Sequence, residues 1–278
     1  MYDKRLSEYA VIGDPIIQSM SPEIHNACFK QLGIDAKYEA VHVRKEELVQ
    51  KVQALIESGY KGFNVTIPHK LDIINLLDEM DPFAKAIGAV NTVIVEGSKL
   101  KGYNTDGPGF YQSLLEVHPL NLKESNILII GAGGAARAIV KAFLLNGVEQ
   151  VTVTNRTEEK AVQLLEGSNG QTLPLEEAAS RLAQYDIVIN TTPIGMVQNI
   201  NGTPISLDYL EPHTVLVDII YNPLMTKFLK TGLEKGCTVQ NGVPMFIHQA
   251  ALSFELWTGR KPDLGLMKWT VEQKLGGK

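Results

Sequence analysis

The stretch "NILIIGAGGAARAIVKAFLL", residues 126–145, constrains the fold of this chain more than any other. A short apolar run reads as a buried strand, a cluster of small residues reads as a sharp turn, and the apolar spacing that follows has helical period. Gly131, Gly133 and Ala136 give the form GxGxxA. Small residues are needed there because the chain reverses, the backbone must approach a pyrophosphate, and the helix must pack closely on its strand. The start of that helix offers backbone N–H groups and the positive end of a dipole to phosphate.

The same alternation continues on both sides of this unit. After it come "QVTVTN", a helix from Glu158, then "DIVINTTP", "TVLVDII" and "TVQN". Before it come "YAVIG", a helix from Pro22 to about Leu32, "KYEAVHV", a helix from Glu46 to about Glu57, and "GFNVTIPHK". A helical stretch over residues 71–87 and a hairpin from "AVNTVIV" and "KLKGYN" complete the first third. Alternating β and α segments of this length predict an α/β protein with mostly parallel sheets covered by helices. At 278 residues the chain is long enough for two such domains. The predicted organisation is a substrate domain of residues 1–105 plus 243–278, a Rossmann-type dinucleotide domain of residues 106–242, and a cleft between them. A helix from Asp106 to about Val117 connects the two, and hinging is expected near residues 104–107 and 241–245.

The second strand of the dinucleotide unit ends in "TNRTEEK". An acidic residue at that place would bind the ribose hydroxyl of NAD. Asn155 and Arg156 stand there instead, and an arginine stacks on adenine and pairs with a 2'-phosphate, so NADP is predicted. Lys160 adds a second positive charge. The alternative leaves Arg156 solvated and gives the ribose to Glu158 or Glu159.

In the first domain, polar groups sit on otherwise apolar elements. "GFNVTIPHK" alternates Phe63, Val65 and Ile67 with Asn64, Thr66 and Pro68, then stops at the proline and delivers Lys70. Read as the first turn of a helix, Lys70 is poorly placed against the helix dipole, which favours a functional role. "QSMSP" carries Ser19 and Ser21; Ser21 before Pro22 reads as an N-cap, whereas Ser19 has no such duty. Asn91 lies in a β-rich run, and Asp106 is either a cap or a functional group. Gln249 shares a predicted helix face with Met245, Leu252 and Leu256, where an unpaired amide would cost about 1–3 kcal/mol.

Composition narrows the field. With 44% apolar and 21% charged residues the chain is an ordinary globular protein. Acidic residues outnumber basic ones, 31 to 26, and no basic run would track a phosphate backbone or a membrane surface, so neither nucleic acid nor membrane is an expected partner. Cys28 and Cys237 form no CxxC pair, and the six histidines have no metal-binding spacing, His25 and His248 reading as packing or surface residues. The N-terminal "MYDKRLSEYAVIG" lacks an apolar leader and no segment has membrane-spanning length, which predicts a cytoplasmic protein. No GxSxG elbow is present, leaving a metal-free redox site.

Taken in order, "SMSP", "NVTIPHK", "GAVNT", "NTDG", "GAGGAARA", "NRT", "DIIYNP" and "NGVPMFIHQA" resemble the shikimate dehydrogenases over nearly the whole chain. The resemblance implies NADPH-dependent, reversible reduction of 3-dehydroshikimate to shikimate in aromatic amino-acid biosynthesis, by a monomer or homodimer acting on a small molecule. It implies Lys70 and Asp106 as the catalytic pair and Ser19, Ser21, Asn64, Thr66, Asn91, Tyr221 and Gln249 as substrate contacts. It also implies cofactor contacts from Gly131, Ala132, Gly133, Gly134, Ala135, Asn155, Arg156, Thr157, Lys160, Thr191, Ile219 and Gly242. Gln18 stands where histidine is common and Ile219 where methionine is common. A quinate/shikimate dehydrogenase with relaxed cofactor use, and a non-catalytic NADP-binding sensor, are the competing readings.

Overall fold

The computed structural model describes residues 6–118 and 121–276. The first five residues, part of the stretch read for a leader, lie outside that range. The chain forms two compact units, Met1–Thr105 with Ile247–Lys278, and Asp106–Phe246.

The first unit runs β1 (Ser7–Gly13), α1 (Ser21–Leu32), β2 (Ala36–His42), α2 (Leu48–Glu57), β3 (Gly62–Val65), β4 (Glu79–Met80), α3 (Pro82–Ile87), β5 (Thr92–Glu96) and β6 (Lys99–Tyr103). The sheet has the order β2-β1-β3-β5-β6-β4. β1 lies parallel to β2 and β3, and β5 runs antiparallel to β3 and β6 as the predicted hairpin. Ile12, Val52, Phe63, Val65, Ile73 and Val93 build one core on this sheet.

Two expectations fail here for local reasons. The strand through "GFNVTIPHK" ends at Val65, because the Thr66 carbonyl turns back to accept the His69 N–H and Pro68 has no N–H to extend the ladder. Ile67, paired in sequence with Phe63 and Val65, is therefore 65% exposed. The helix expected over residues 71–87 is instead a 3-10 turn at Asp72–Leu76, then β4, then α3. Asp78 exchanges bonds with Leu100 and so draws the chain into the sheet. Asp81 caps α3 through the amides of Phe83 and Ala84, with Pro82 in its first turn, so "DP" is a helix start.

The second unit runs α4 (Asp106–Val117), β7 (Ile127–Ile130), α5 (Gly134–Leu145), β8 (Val151–Thr154), α6 (Glu158–Leu165), β9 (Gln171–Thr172), α7 (Leu175–Ser180), β10 (Ile187–Asn190), β11 (Val215–Asp218), α8 (Lys227–Glu234) and β12 (Thr238–Gln240). Next, α9 (Val243–Thr258) begins in this unit and ends in the first, followed by α10 (Leu264–Gly276). The sheet order β12-β11-β10-β7-β8-β9, parallel throughout, is that of a doubly wound dinucleotide-binding sheet. Its central strands are apolar on both faces. Ile127, Ile129, Val153 and Ile189 enter one core, and Leu128, Ile130, Val188 and Leu216 the other. β9, α7 and α8 have no counterpart in the sequence reading. Among the described residues no helix is long and apolar enough to cross a membrane.

Candidate active site

The strand order of the second unit reverses between β7 and β10, the place where open α/β sheets bind ligands beyond their carboxyl ends. At that edge Gly131 leaves β7 at φ +117°, where a side chain would be strained and a Cβ would lie 2.4 Å from Thr191 Oγ1. Thr191 is fastened across the gap, its amide and hydroxyl both donating to the Ile130 carbonyl. Gly133 has nothing within 4 Å of a Cβ position, so the turn opens onto space. α5 starts there with no side-chain cap and no acidic residue in its first turn. With Ala132, Gly134 and Ala135 this makes a backbone cradle suited to a pyrophosphate.

Asn155 follows β8, its Nδ2 donating to the Thr157 carbonyl at 2.8 Å. Arg156, Thr157 and Lys160 are exposed beside it. Beyond β11, Gly242 is pressed against the loop bearing Ile219, and a Cβ would stand 2.1 Å from the Ile219 carbonyl oxygen. Tyr221 stacks on Phe246 with ring centroids 4.6 Å apart. Asp106, buried, opens α4.

In the first unit the structure gathers Asn64, Asn91 and Gln249 into one network; Ser19 lies in the loop after β1, Ser21 opens α1, and Thr66 and Lys70 follow the end of β3. Asn64 pairs in register with Thr92. Its Nδ2 lies within bonding reach of Thr92 Oγ1, Ser253 Oγ and the Asn91 carbonyl, and its Oδ1 accepts the Tyr38 hydroxyl at 2.7 Å. Asn91 in turn accepts the Thr105 N–H at 2.8 Å and donates to Thr105 Oγ1 at 2.9 Å, with its amide 3.5 Å from Gln249 Oε1. α9 lies on this sheet, held in part by Trp257 Nε1 donating to the Val93 carbonyl.

Three details differ from the sequence reading. Ser21 is the first residue of α1, not its cap; Met20 takes that position without a side-chain bond, and Ser19 Oγ accepts the Ser21 N–H at 3.3 Å. Lys70 lies in a turn ahead of the 3-10 segment, not in the first turn of an α-helix, so the dipole argument for it lapses. Gln249 is half-buried and Leu256 is 37% exposed, so they do not share a buried face. The turn carrying Lys70 is nonetheless well fixed. The Lys70 carbonyl accepts the Val90 N–H at 2.9 Å, and His69, fully buried, donates from Nε2 to the Val43 carbonyl at 2.7 Å.

Sequence reasoning missed Tyr38, His69, Ser253, Thr92 and Thr105, whose roles arise from pairings distant in the chain. Tyr38 is buried, which raises its phenol well above the ordinary range against a Ser21 hydrogen bond that works the other way. His25 stacks on its ring at 4.3 Å, and neither imidazole nitrogen has a hydrogen-bond partner. Burial pushes His25 down from 6.5 to about 3. As pH falls below about 6.5 the unfolded imidazole gains a proton that the folded one refuses until about 3, so this group lowers stability across that window. Relative to the parent chain, His25→Phe should therefore gain about 2 kcal/mol of stability between pH 7.5 and pH 5, at roughly 1.4 kcal/mol per unit. Denaturant unfolding at both pH values checks this; a difference between the two proteins that does not change with pH contradicts it.

Among the described residues no group of three or more His, Cys, Asp or Glu is arranged to hold a metal. Three family models match the chain in order: the shikimate dehydrogenase substrate binding domain over residues 11–93, shikimate / quinate 5-dehydrogenase over 113–219, and the shikimate 5'-dehydrogenase C-terminal domain over 242–272. The shikimate dehydrogenase (NADP(+)) of Bacillus subtilis (strain 168) is 47% identical over 273 residues, covering 97% of this chain and 98% of that protein. That of Bacillus anthracis is 47% identical over 278 residues, covering 99% and 100%. A crystal structure of the Thermus thermophilus shikimate 5-dehydrogenase with NADP(H) and shikimate superposes with a TM-score of 0.88 at 35% identity, covering 96% of this chain and 99% of that one. The glycine turn, the Lys70 turn and the network around Asn64 thus stand in a chain matched nearly end to end, and the chain belongs to the shikimate dehydrogenase family.

Proposed function

We propose that this chain is an NADP-dependent shikimate dehydrogenase, reversibly reducing 3-dehydroshikimate to shikimate in aromatic amino-acid biosynthesis, as a cytoplasmic monomer or homodimer. The observation that carries the reading is the match, in order, of the shikimate dehydrogenase substrate binding domain to the segment bearing the Lys70 turn and of shikimate / quinate 5-dehydrogenase to the segment bearing the uncapped glycine turn. Residues 1–105 with 243–278 serve the substrate, and residues 106–242 serve NADP.

The substrate is a small ring with a carboxylate and several hydroxyls, so its site must offer short donors and acceptors on a rigid frame. Ser19 and Ser21 hold the carboxylate; Asn64, Thr66, Asn91, Asp106 and Gln249 hold hydroxyls, and Tyr221 is a further substrate contact. Asn64 and Asn91 are already heavily bonded to protein, which fixes their amide orientation before substrate arrives. Gly131 to Ala135 cradle the pyrophosphate, Arg156 and Lys160 with Asn155 and Thr157 take the adenosine 2'-phosphate, and Thr191, Ile219 and Gly242 line the nicotinamide side. Bound NADPH supplies the hydride. Lys70 stabilises negative charge growing on the C3 oxygen and donates its Nζ proton there, and in the reverse direction its neutral amine accepts the hydroxyl proton. Asp106 orients the lysine and shares its hydrogen bonds.

A panel of shikimate and quinate with NADP and NAD, followed by nicotinamide absorbance, tests the reading. Turnover of shikimate with NADP is expected to dominate. Comparable rates with quinate favour a quinate/shikimate dehydrogenase, and no turnover with any pair favours a sensor. In the reverse assay, reduction of 3-dehydroshikimate, Arg156→Ala should raise the KM for NADPH by about tenfold or more, the scale of a lost charge-assisted pair, while barely changing that for NADH. Equal losses with both cofactors would remove Arg156 from the 2'-phosphate.

A further inference from the structure

Asn190 and Asp218 end adjacent parallel strands in register and are both fully buried. Asn190 Nδ2 donates to Asp218 Oδ1 at 3.2 Å. Each then binds the loop that follows its own strand. Asn190 Oδ1 accepts the amide and hydroxyl of Thr192, and its Nδ2 also reaches the Ile194 carbonyl at 3.1 Å. Asp218 Oδ1 accepts the Ile220 N–H at 3.0 Å, and Oδ2 accepts the hydroxyl of Thr226, the N-cap of α8, at 2.7 Å. The Ile219 N–H also donates to the Asn190 carbonyl, tying the start of the loop after β11 to the end of β10.

One amide and one carboxylate therefore lock two loops to each other and to a helix start. Stability is a poor reason to keep such a pair, because burial raises the Asp218 carboxyl to about 6 against the hydrogen bonds that lower it, and no cation is among these partners. The loops lie beyond β10 and β11, on the opposite side of β7 from β8. With the pyrophosphate at the start of α5 and the adenosine end at Arg156 beyond β8, the other half of a dinucleotide extends over them. They carry Thr191, Ile219 and Tyr221.

We infer that Asn190 and Asp218 form a positioning pair that holds the 191–194 and 219–226 loops in the arrangement that receives the nicotinamide half of the cofactor. The inference rests on the NADP reading above. Asp218→Asn keeps the shape and removes one acceptor, Thr226→Val deletes the hydroxyl that Oδ2 accepts, and Thr226→Ser restores it.

The test compares binding of NADPH, by its fluorescence, with binding of adenosine 2',5'-bisphosphate, which lacks the nicotinamide half. The Kd for NADPH should rise about tenfold in Asp218→Asn and about threefold in Thr226→Val, the scale of lost hydrogen bonds to a charged group, and less than about twofold in Thr226→Ser. The Kd for the bisphosphate should stay within about twofold in all three. Equal weakening of both ligands means general loosening and overturns the inference, as does unchanged NADPH binding in the variants; if Asp218→Asn does not fold, Thr226→Val decides. A parent chain that binds neither ligand overturns the NADP reading itself, and this inference with it.

Discussion

Replacing Lys70 with alanine is expected to lower kcat by about 100-fold or more, the usual scale of a lost acid/base group, with a smaller change in KM. The reason is chemical. An alkoxide forming at C3 needs a proton and a nearby positive charge at the same moment, and a positioned ammonium supplies both. The turn beneath Lys70 is held by backbone and His69 bonds that do not involve its side chain, the Val90 N–H to the Lys70 carbonyl and His69 Nε2 to the Val43 carbonyl. The variant should therefore fold normally, and the loss should fall on turnover. Steady-state kinetics alongside a thermal melt separates the two; near-normal turnover in a folded variant would remove Lys70 from the chemistry.

Gly242→Ala is expected to damage the protein as a whole. A methyl group there would stand 2.1 Å from the Ile219 carbonyl oxygen and 2.8 Å from the Ile220 carbonyl carbon, and these are backbone atoms with no rotamer to turn away. The Gly242 N–H also donates to the Ile220 carbonyl at 2.9 Å, so relief of the clash breaks a bond that ties the segment between β12 and α9 against the loop after β11. Overpacking costs about 1–3 kcal/mol even where side chains can shift, and more here, so a fall in melting temperature of roughly 5 °C or more should accompany weakened NADPH binding. A variant that melts with the parent and binds NADPH normally would show that the two backbones separate at little cost.

How legible the molecule was in its sequence depended on the range of each interaction. The β7–α5 unit was plain, because a strand, a glycine turn and a helical period lie within twenty residues and each local signal agrees with the next. The helices Asp106–Val117 and Gly134–Leu145 begin and end where apolar spacing places them. The failures came where local pattern met a distant partner. Residues 71–87 have helical spacing, yet the Asp78–Leu100 bonds pull the chain into a sheet edge that sequence spacing does not reveal. β9 is two residues long and exists because it pairs with β8.

The candidate site divides in the same way. Glycines with a steric duty and polar residues on apolar strands announced themselves. Ser253 did not, because its hydroxyl matters through Asn64 and Thr92, 189 and 161 residues away. Asp218 looked like the end of an ordinary strand until Asn190 and Thr226 were seen to close on it. A small residue that must be small is visible in one dimension; a buried hydrogen-bond network becomes visible only after folding.

The central claim is that the Lys70 ammonium works directly on the oxygen at C3 of shikimate. A crystal structure of the chain with shikimate bound tests it most directly. Lys70 Nζ is expected at about 2.6–3.2 Å from that oxygen. An ordered Nζ beyond about 4 Å, with no water between, would contradict the account.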